Sequence, residues 1–297
     1  MSRQQEIAQV TYIGSLVNIG LTLFKLLAGL VGQSAAMIAD AIHSLSDLLT
    51  DFVIIVCSRF AGKPRDADHA FGHGKYETVA TGLVGLFLAA VGLGICWNGA
   101  ITVWHFCLGE SLPRPGSIAL TAALVSIVSK EALYRYTRRR GEQLQSQAVV
   151  ANAWHHRSDA LSSVATAVGI GGAILLGESW RVLDPLAAIF AGLLIVRVSA
   201  LLLIPCWEEL LEKSLPVADE EFIRQTILSF PGTSDPHNLR TRRIGTYCAI
   251  EVHFRLDGRT TILEAHALTR RIEDRLRSKF GPETIINTHV EPLKAQE

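Results

Sequence analysis

Four ionisable residues, Asp40, His43, Asp47 and Asp51, follow one another at steps of three, four and four in an otherwise apolar stretch. On an α-helix those steps put all four on one face. A second apolar stretch carries His155 and Asp159, four apart, inside Trp154-His-His-Arg-Ser-Asp159. Two helices thus each present a His-x-x-x-Asp pair. Brought face to face, they supply two imidazole nitrogens and two carboxylate oxygens, a set that closes a tetrahedron round a divalent ion; Zn²⁺ takes such donors at ~2.0–2.2 Å. An ionisable side chain in hydrocarbon costs about 2.5–3.5 kcal/mol on insertion scales, so matched pairs at that depth call for a function. The plainer reading, hydrogen bonding between packed helices, suits one isolated pair better than two matching ones. His43, Asp47, His155 and Asp159 are therefore read as a metal site. Asp51, one turn towards the cytoplasm, is read as drawing cations into the path, and Asp40 as a partner for a neighbouring helix. His156 points about 100° away from His155 on an ideal helix and is read as a packing residue.

The elements that must hold these residues are long. Crossing ~30 Å of hydrocarbon takes ~20 apolar residues in a helix, and six stretches qualify: 10–31, 34–57, 79–106, 117–134, 148–176 and 183–204. Residues 1–7 are polar with no small-residue cleavage motif after them, so the first stretch is expected to be a retained span and not a signal peptide. Arg59, Lys63, Arg65 and Lys75 follow the second stretch and Arg135, Arg138, Arg139 and Arg140 the fourth, whereas the opposite loops offer Arg114 and Arg181. Basic loops stay in the cytoplasm, which places both termini there.

Composition agrees. Of 297 residues, 49% are hydrophobic and 19% charged, against about 25% charged in soluble proteins; mean hydropathy is +0.29. Lys plus Arg and Asp plus Glu both number 28. A globally basic nucleic-acid binder is excluded, and no nucleic-acid partner is expected. The five cysteines (Cys57, Cys96, Cys107, Cys206, Cys248) are scattered with no C-x-x-C pair, which indicates neither a disulfide framework nor a cysteine zinc site.

After Trp207 the sequence turns charged. The expected organisation is a membrane domain over 1–207 and a small cytoplasmic α+β domain over 208–297. Within the latter, 219–230 reads as a helix, 237–244 and 247–256 as strands, 261–280 as a helix and 284–291 as a last strand. Alternation is clean in the middle strand, with Cys248, Ile250, Val252, Phe254 and Leu256 on one face and Glu251, His253 and Arg255 on the other. This order predicts a small sheet with helices on one face. Its histidines, His237, His253, His266 and His289, with Glu291, form a candidate metal group; a solvated sheet face is the alternative. Asp66, His69 and His73 form another in the loop after the second span, where solvated loop histidines are the commoner finding.

Three segments carry a resemblance: Ser34-Ala-Ala-Met-Ile-Ala-Asp-Ala-Ile-His-Ser-Leu-Ser-Asp47, Asp68-His-Ala-Phe-Gly-His-Gly-Lys75-Tyr-Glu77 and Ala153-Trp-His-His-Arg-Ser-Asp159-Ala. Together, and in order through His289-Val-Glu-Pro292, the chain resembles the cation diffusion facilitator family over nearly its whole length. The resemblance implies six transmembrane helices plus a cytoplasmic ferredoxin-like domain, a homodimer in the lipid bilayer, and efflux of Zn²⁺ or a related divalent ion in exchange for protons. It makes His43, Asp47, His155 and Asp159 the transport site. His43 stands where some relatives carry Asp, which resembles the zinc-selective branch; carboxylate-richer sets suit Mn²⁺, Fe²⁺ or Cd²⁺, and affinity alone does not exclude Co²⁺, Ni²⁺ or Cu²⁺. Asp66, His69 and His73 align with an interfacial metal site of some members, and Lys75 with Glu212 with a charged pair that ties two protomers. The five residues of the C-terminal group align with a regulatory zinc site, Glu291 standing where an Asp is common. A bacterial inner membrane is the expected location. A membrane-bound zinc hydrolase lacks support from any H-E-x-x-H, G-x-S-x-G or Glu near either pair. A metal sensor with anchoring helices leaves the intramembrane ligands unexplained.

Overall fold

The computed structural model describes residues 3–61, 63, 65–144 and 146–293, with side chains described throughout that range except at positions 3, 4, 7, 8, 50, 51, 53–61, 147, 148 and 151. The role assigned to Asp51 lies outside the described side chains. Eight α-helices and three strands follow in order: α1 (Arg3–Val31), α2 (Ala35–Ala61), α3 (Lys75–Cys107), α4 (Ser117–Gln143), α5 (Gln147–Leu175), α6 (Leu183–Leu210), α7 (Val217–Leu228), β1 (Ser234–Ile244), β2 (Tyr247–Leu256), α8 (Ile262–Phe280) and β3 (Ile285–Pro292).

Among the described residues, five helices are long and apolar enough to cross a membrane, at 9–31, 75–107, 117–143, 152–175 and 178–210. α2 is 27 residues long and is interrupted by Asp40, Asp47 and Asp51, the residues that carry the candidate chemistry. The six expected spans thus coincide with six long helices. α4 outruns its apolar stretch because hydropathy marks where lipid ends and not where the helix ends. Past that point i,i+4 pairs sustain it: Arg135 with Glu131 and Arg138 with Glu142, both at 2.8 Å.

The chain packs as two compact units, Met1–Val53 with Leu83–Leu201, and Ile54–Gly82 with Leu202–Glu297. In the first, the buried cluster is mostly small: Ala28, Ala36, Met37, Ala119, Ala122, Ala123 and Ile170. Between helices in lipid, close approach of backbones replaces the hydrophobic drive. Gly92 of α3 and Gly192 of α6 show this from both sides, since a Cβ on either would meet the other's carbonyl oxygen at 3.1 Å. The start of α2 is pinned from α6. Ser34 Oγ donates to Asp184 Oδ1 at 2.5 Å, the Ala35 N–H donates to Asp184 Oδ2 at 2.8 Å, and the Met37 N–H donates to Ser34 Oγ at 3.1 Å. These bonds take up helix N-terminal donors that lipid cannot satisfy.

In the second unit the strand order is β1-β2-β3, with β1 antiparallel and β3 parallel to β2. Cys248, Ile250, Val252, Phe254 and Leu256 of β2 are buried with Ile223 and Ile227 of α7 and Ile272 and Leu276 of α8, so both helices cover the apolar face read from the alternation. Thr261 is the N-cap of α8 in a capping box with Glu264 and not its first residue. The segment 54–82 packs with this unit, although composition alone assigns it to the membrane half.

Candidate metal centres

The face of α2 and the face of α5 meet. Ligand-capable atoms of His43, Asp47 and Asp159 all lie within 4.8 Å of one another. Nδ1 of His43 and Oδ2 of Asp47 are buried with no hydrogen-bond partner, so this group holds donor atoms free to take an ion. His155 stands beside it: its Nδ1 is 3.8 Å from Asp159 Oδ1, and its side chain is 51% exposed. The structure therefore gathers three of the four expected residues and leaves the fourth at the rim. His156 is buried and turned towards α1, where a Cβ at Gly14 would lie 3.4 Å from its Nε2.

Two lysines that spacing arguments pass over complete the surroundings. Lys130 of α4, itself buried, donates to Asp159 Oδ2 at 2.6 Å. Lys25 of α1 pairs with Asp40 Oδ2 at 2.7 Å and donates to Ser44 Oγ at 3.2 Å and Ser163 Oγ at 3.0 Å. Ser163 in turn donates to Asp40 at 3.0 Å. Asp40 is thus held by a neighbouring helix, as its single position one turn from His43 implies. The one signal for both lysines was a charge inside an apolar stretch, which calls for a partner without naming it.

In the loop before α3, Asp66 Oδ1 lies 3.3 Å from His69 Nδ1 and Oδ2 lies 3.3 Å from His73 Nε2. The two imidazole rings are 4.4 Å apart, and Tyr76 Oη sits 3.3 Å from His69 Nε2. Asp66 also accepts the N–H groups of His69 at 2.7 Å and Asp68 at 3.1 Å. The His69 amide above all holds the Asp66 carboxyl below its ordinary range. Lys75 lies 3.4 Å from Glu212, which Arg242 also contacts at 3.2 Å; within one chain this is an exposed pair, and exposed pairs contribute about 0–1 kcal/mol.

The sheet builds a third centre by register. His237 of β1 pairs with His253 of β2, and His253 pairs with His289 of β3, so three imidazoles stand in a row across three strands. Ring centroids are 5.5 Å apart for His237 and His253 and 4.6 Å for His253 and His289. His237, His253 and Glu291 have ligand-capable atoms within 4.8 Å of one another. Glu291 approaches His253 Nδ1 and His237 Nε2 at 3.3 Å each, and Arg255 at 3.4 Å. Burial pushes the Glu291 carboxyl up, but its bonds to His253 and His237 and the Arg255 charge together hold it below its ordinary range. His266 lies apart on α8, exposed in a groove with Glu273 and Asn287. Arg255, with its second partner Asp235 at 3.3 Å, borders this group, and the sequence offers no signal for that beyond the place of Arg255 on the polar face of β2.

Apolar helices enclosing His, Asp and Lys, joined to a small α+β unit with its own donor cluster, define a membrane protein that handles metal cations. Residues 11–211 match the cation efflux transmembrane domain and residues 215–293 the cytoplasmic domain of cation efflux proteins. The chain belongs to the cation diffusion facilitator family. It is 33% identical to the manganese efflux system protein MneP of Bacillus subtilis (strain 168), over 98% of this chain and 97% of that protein. It is 35% identical to metal tolerance protein C1 of Arabidopsis thaliana over 98% of this chain, which spans 64% of that longer protein. Among solved structures, the metal-bound C-terminal domain of the CzcD transporter from Thermotoga maritima is 30% identical over 27% of this chain and 94% of that one, with a TM-score of 0.25.

Proposed function

We propose that this protein exports a divalent transition-metal cation, Zn²⁺ foremost, from the cytoplasm in exchange for protons, working as a homodimer by alternating access. The observation that carries the reading is the convergence of His43, Asp47 and Asp159, with His155 3.8 Å from Asp159, between two apolar helices. Neutral imidazole binds metal and imidazolium repels it, and histidine titrates near ~6.5. Protons and metal therefore compete for His43 and His155. Facing the cytoplasm, the site loses protons and takes the ion; facing outward, protons displace it. Asp47 and Asp159 supply the negative charge that offsets loss of the ion's hydration shell. Residues 1–207 perform transport in this scheme, and 208–297 sense cytoplasmic metal through His237, His253 and Glu291, with His289 alongside, and pair the two protomers. Asp66, His69 and His73 add a second cytoplasmic site, and Lys75 and Glu212 serve the dimer. The basic loops support an orientation with both termini in the cytoplasm, and the membrane in this reading is a bacterial inner membrane.

A second reading, preference for Mn²⁺, is favoured by the gathered donor set, one nitrogen and two carboxylate oxygens when His155 stays at the rim, and by the name of MneP. Harder oxygen-rich sets suit Mn²⁺ better than Zn²⁺. Reconstituted vesicles under an imposed pH gradient test both readings. Zinc uptake should follow the gradient and vanish in Asp47→Ala and in Asp159→Ala; an unchanged rate in either variant removes that residue from the site. Excess Mn²⁺ that fully suppresses zinc uptake, while being taken up itself, decides for the second reading.

A further inference from the structure

We propose that Lys130 is a tethered cation that competes with the transported ion for Asp159, and so sets how tightly the site holds its cargo. The inference rests on the transport reading above and adds a specificity-determining residue from a third helix. Lys130 lies on α4, and its ammonium donates at 2.6 Å to Oδ2 of a carboxylate that also belongs to the donor group. A divalent ion held by His43, Asp47 and Asp159 draws on that same carboxylate. Two cations on one buried carboxylate repel strongly, because little solvent lies between them to screen the charges. The lysine therefore weakens binding of the ion, which keeps release possible from a site that holds two carboxylates.

The comparison with Lys25 isolates what is special about Lys130. Lys25 is equally buried and equally ion-paired, but its partner Asp40 is outside the donor group, and two serine hydroxyls share its ammonium. That pair holds helices together. Lys130 instead has its charge on a ligand.

A displaced ammonium also has somewhere to go. Long side chains on a helix lean towards the preceding turn, which for Lys130 carries Ser126. Ser126 Oγ lies 3.4 Å from Ser163 Oγ, and Ser163 donates to Asp40. The Ser126 hydroxyl, one turn away and buried, is an acceptor for the ammonium that does not expose it to lipid.

The test is the order of affinities for Zn²⁺ in the full-length protein, read by calorimetry in detergent and by the half-saturating concentration for uptake in proteoliposomes. Lys130→Met should bind zinc about tenfold tighter or more and show a lower maximal rate, because release slows. Lys130→Gln, which keeps a hydrogen-bonding group but loses the charge, should behave like the methionine variant, and Lys130→Arg like the wild type. Should the methionine variant fail to fold, the glutamine and arginine variants alone decide the order. Weaker or unchanged binding in the neutral variants overturns the proposal and leaves Lys130 as a positioning residue for Asp159. Wild-type vesicles that take up no zinc overturn the transport reading instead, while calorimetry still decides the role of Lys130.

Discussion

Glu291 faces His237, His253 and Arg255 at once, and its ionised form is the one those partners favour. A carboxyl whose folded pKa is depressed adds stability that is complete above its unfolded value, about 4.3 for Glu, and disappears as pH falls through the lower folded value. Thermal melts of the full chain followed between pH 6 and pH 3 should therefore show a loss of stability of the C-terminal unit that begins near pH ~4.3 and is shallower in Glu291→Gln. An identical acid slope in the variant would remove Glu291 from that balance. At this scale the candidate donors were legible because His and Asp recur at helical steps in apolar surroundings. The two lysines were not, because Lys25 and Lys130 acquire meaning only from the carboxylates that tertiary packing sets opposite them, Asp40 and Asp159.

Among the elements, α8 owes its start to a local device, the reciprocal bonds of Thr261 and Glu264. Its loss exposes unpaired helix N–H groups, so Thr261→Ala should destabilise the C-terminal unit by about 0.5–2 kcal/mol, measured as a lowered Tm with transport by the membrane unit retained. A Tm equal to that of the wild type would mean that the helix end is held by its packing alone. The type of every long element was legible: the spans from the length of their apolar stretches, α8 from its helical spacing and β2 from its alternation. Their ends were not. α3 begins at Lys75, ahead of its apolar stretch, and α4 continues to Gln143, carried there by i,i+4 ion pairs that hydropathy does not see. The strand register was equally hidden. Only once His237, His253 and His289 fall into one row does the separation of His289 and Glu291 along β3 place an acid beside two of those imidazoles.

For the molecule as a whole, the first unit carries one donor cluster and the second carries two among the described residues, and the roles proposed for the helical cluster and the sheet cluster separate in a transport assay. Replacing His253 by Ala should shift the metal concentration that gives half-maximal transport in proteoliposomes by more than it changes the maximal rate; complete loss of transport would contradict a sensing role for that cluster. The change in composition at Trp207 made the two-part organisation visible. It did not show that 54–82 packs with the C-terminal part, because that association is tertiary: the Tyr247 hydroxyl donates to the Phe71 carbonyl, and Gly74 packs so closely that a Cβ there would lie 2.6 Å from the Ile244 carbonyl oxygen. A last consequence lies in α2, which carries Asp40 on the same rigid face as His43 and Asp47. A helix has no joint between successive turns, so a rotation that withdraws His43 and Asp47 from α5 also drags Asp40 off Lys25. Either α1 swivels in step, or a buried ion pair is severed at a cost of about 3–5 kcal/mol. The first two helices are in effect geared together, and any rocking of this protein turns them as a coupled pair of rods.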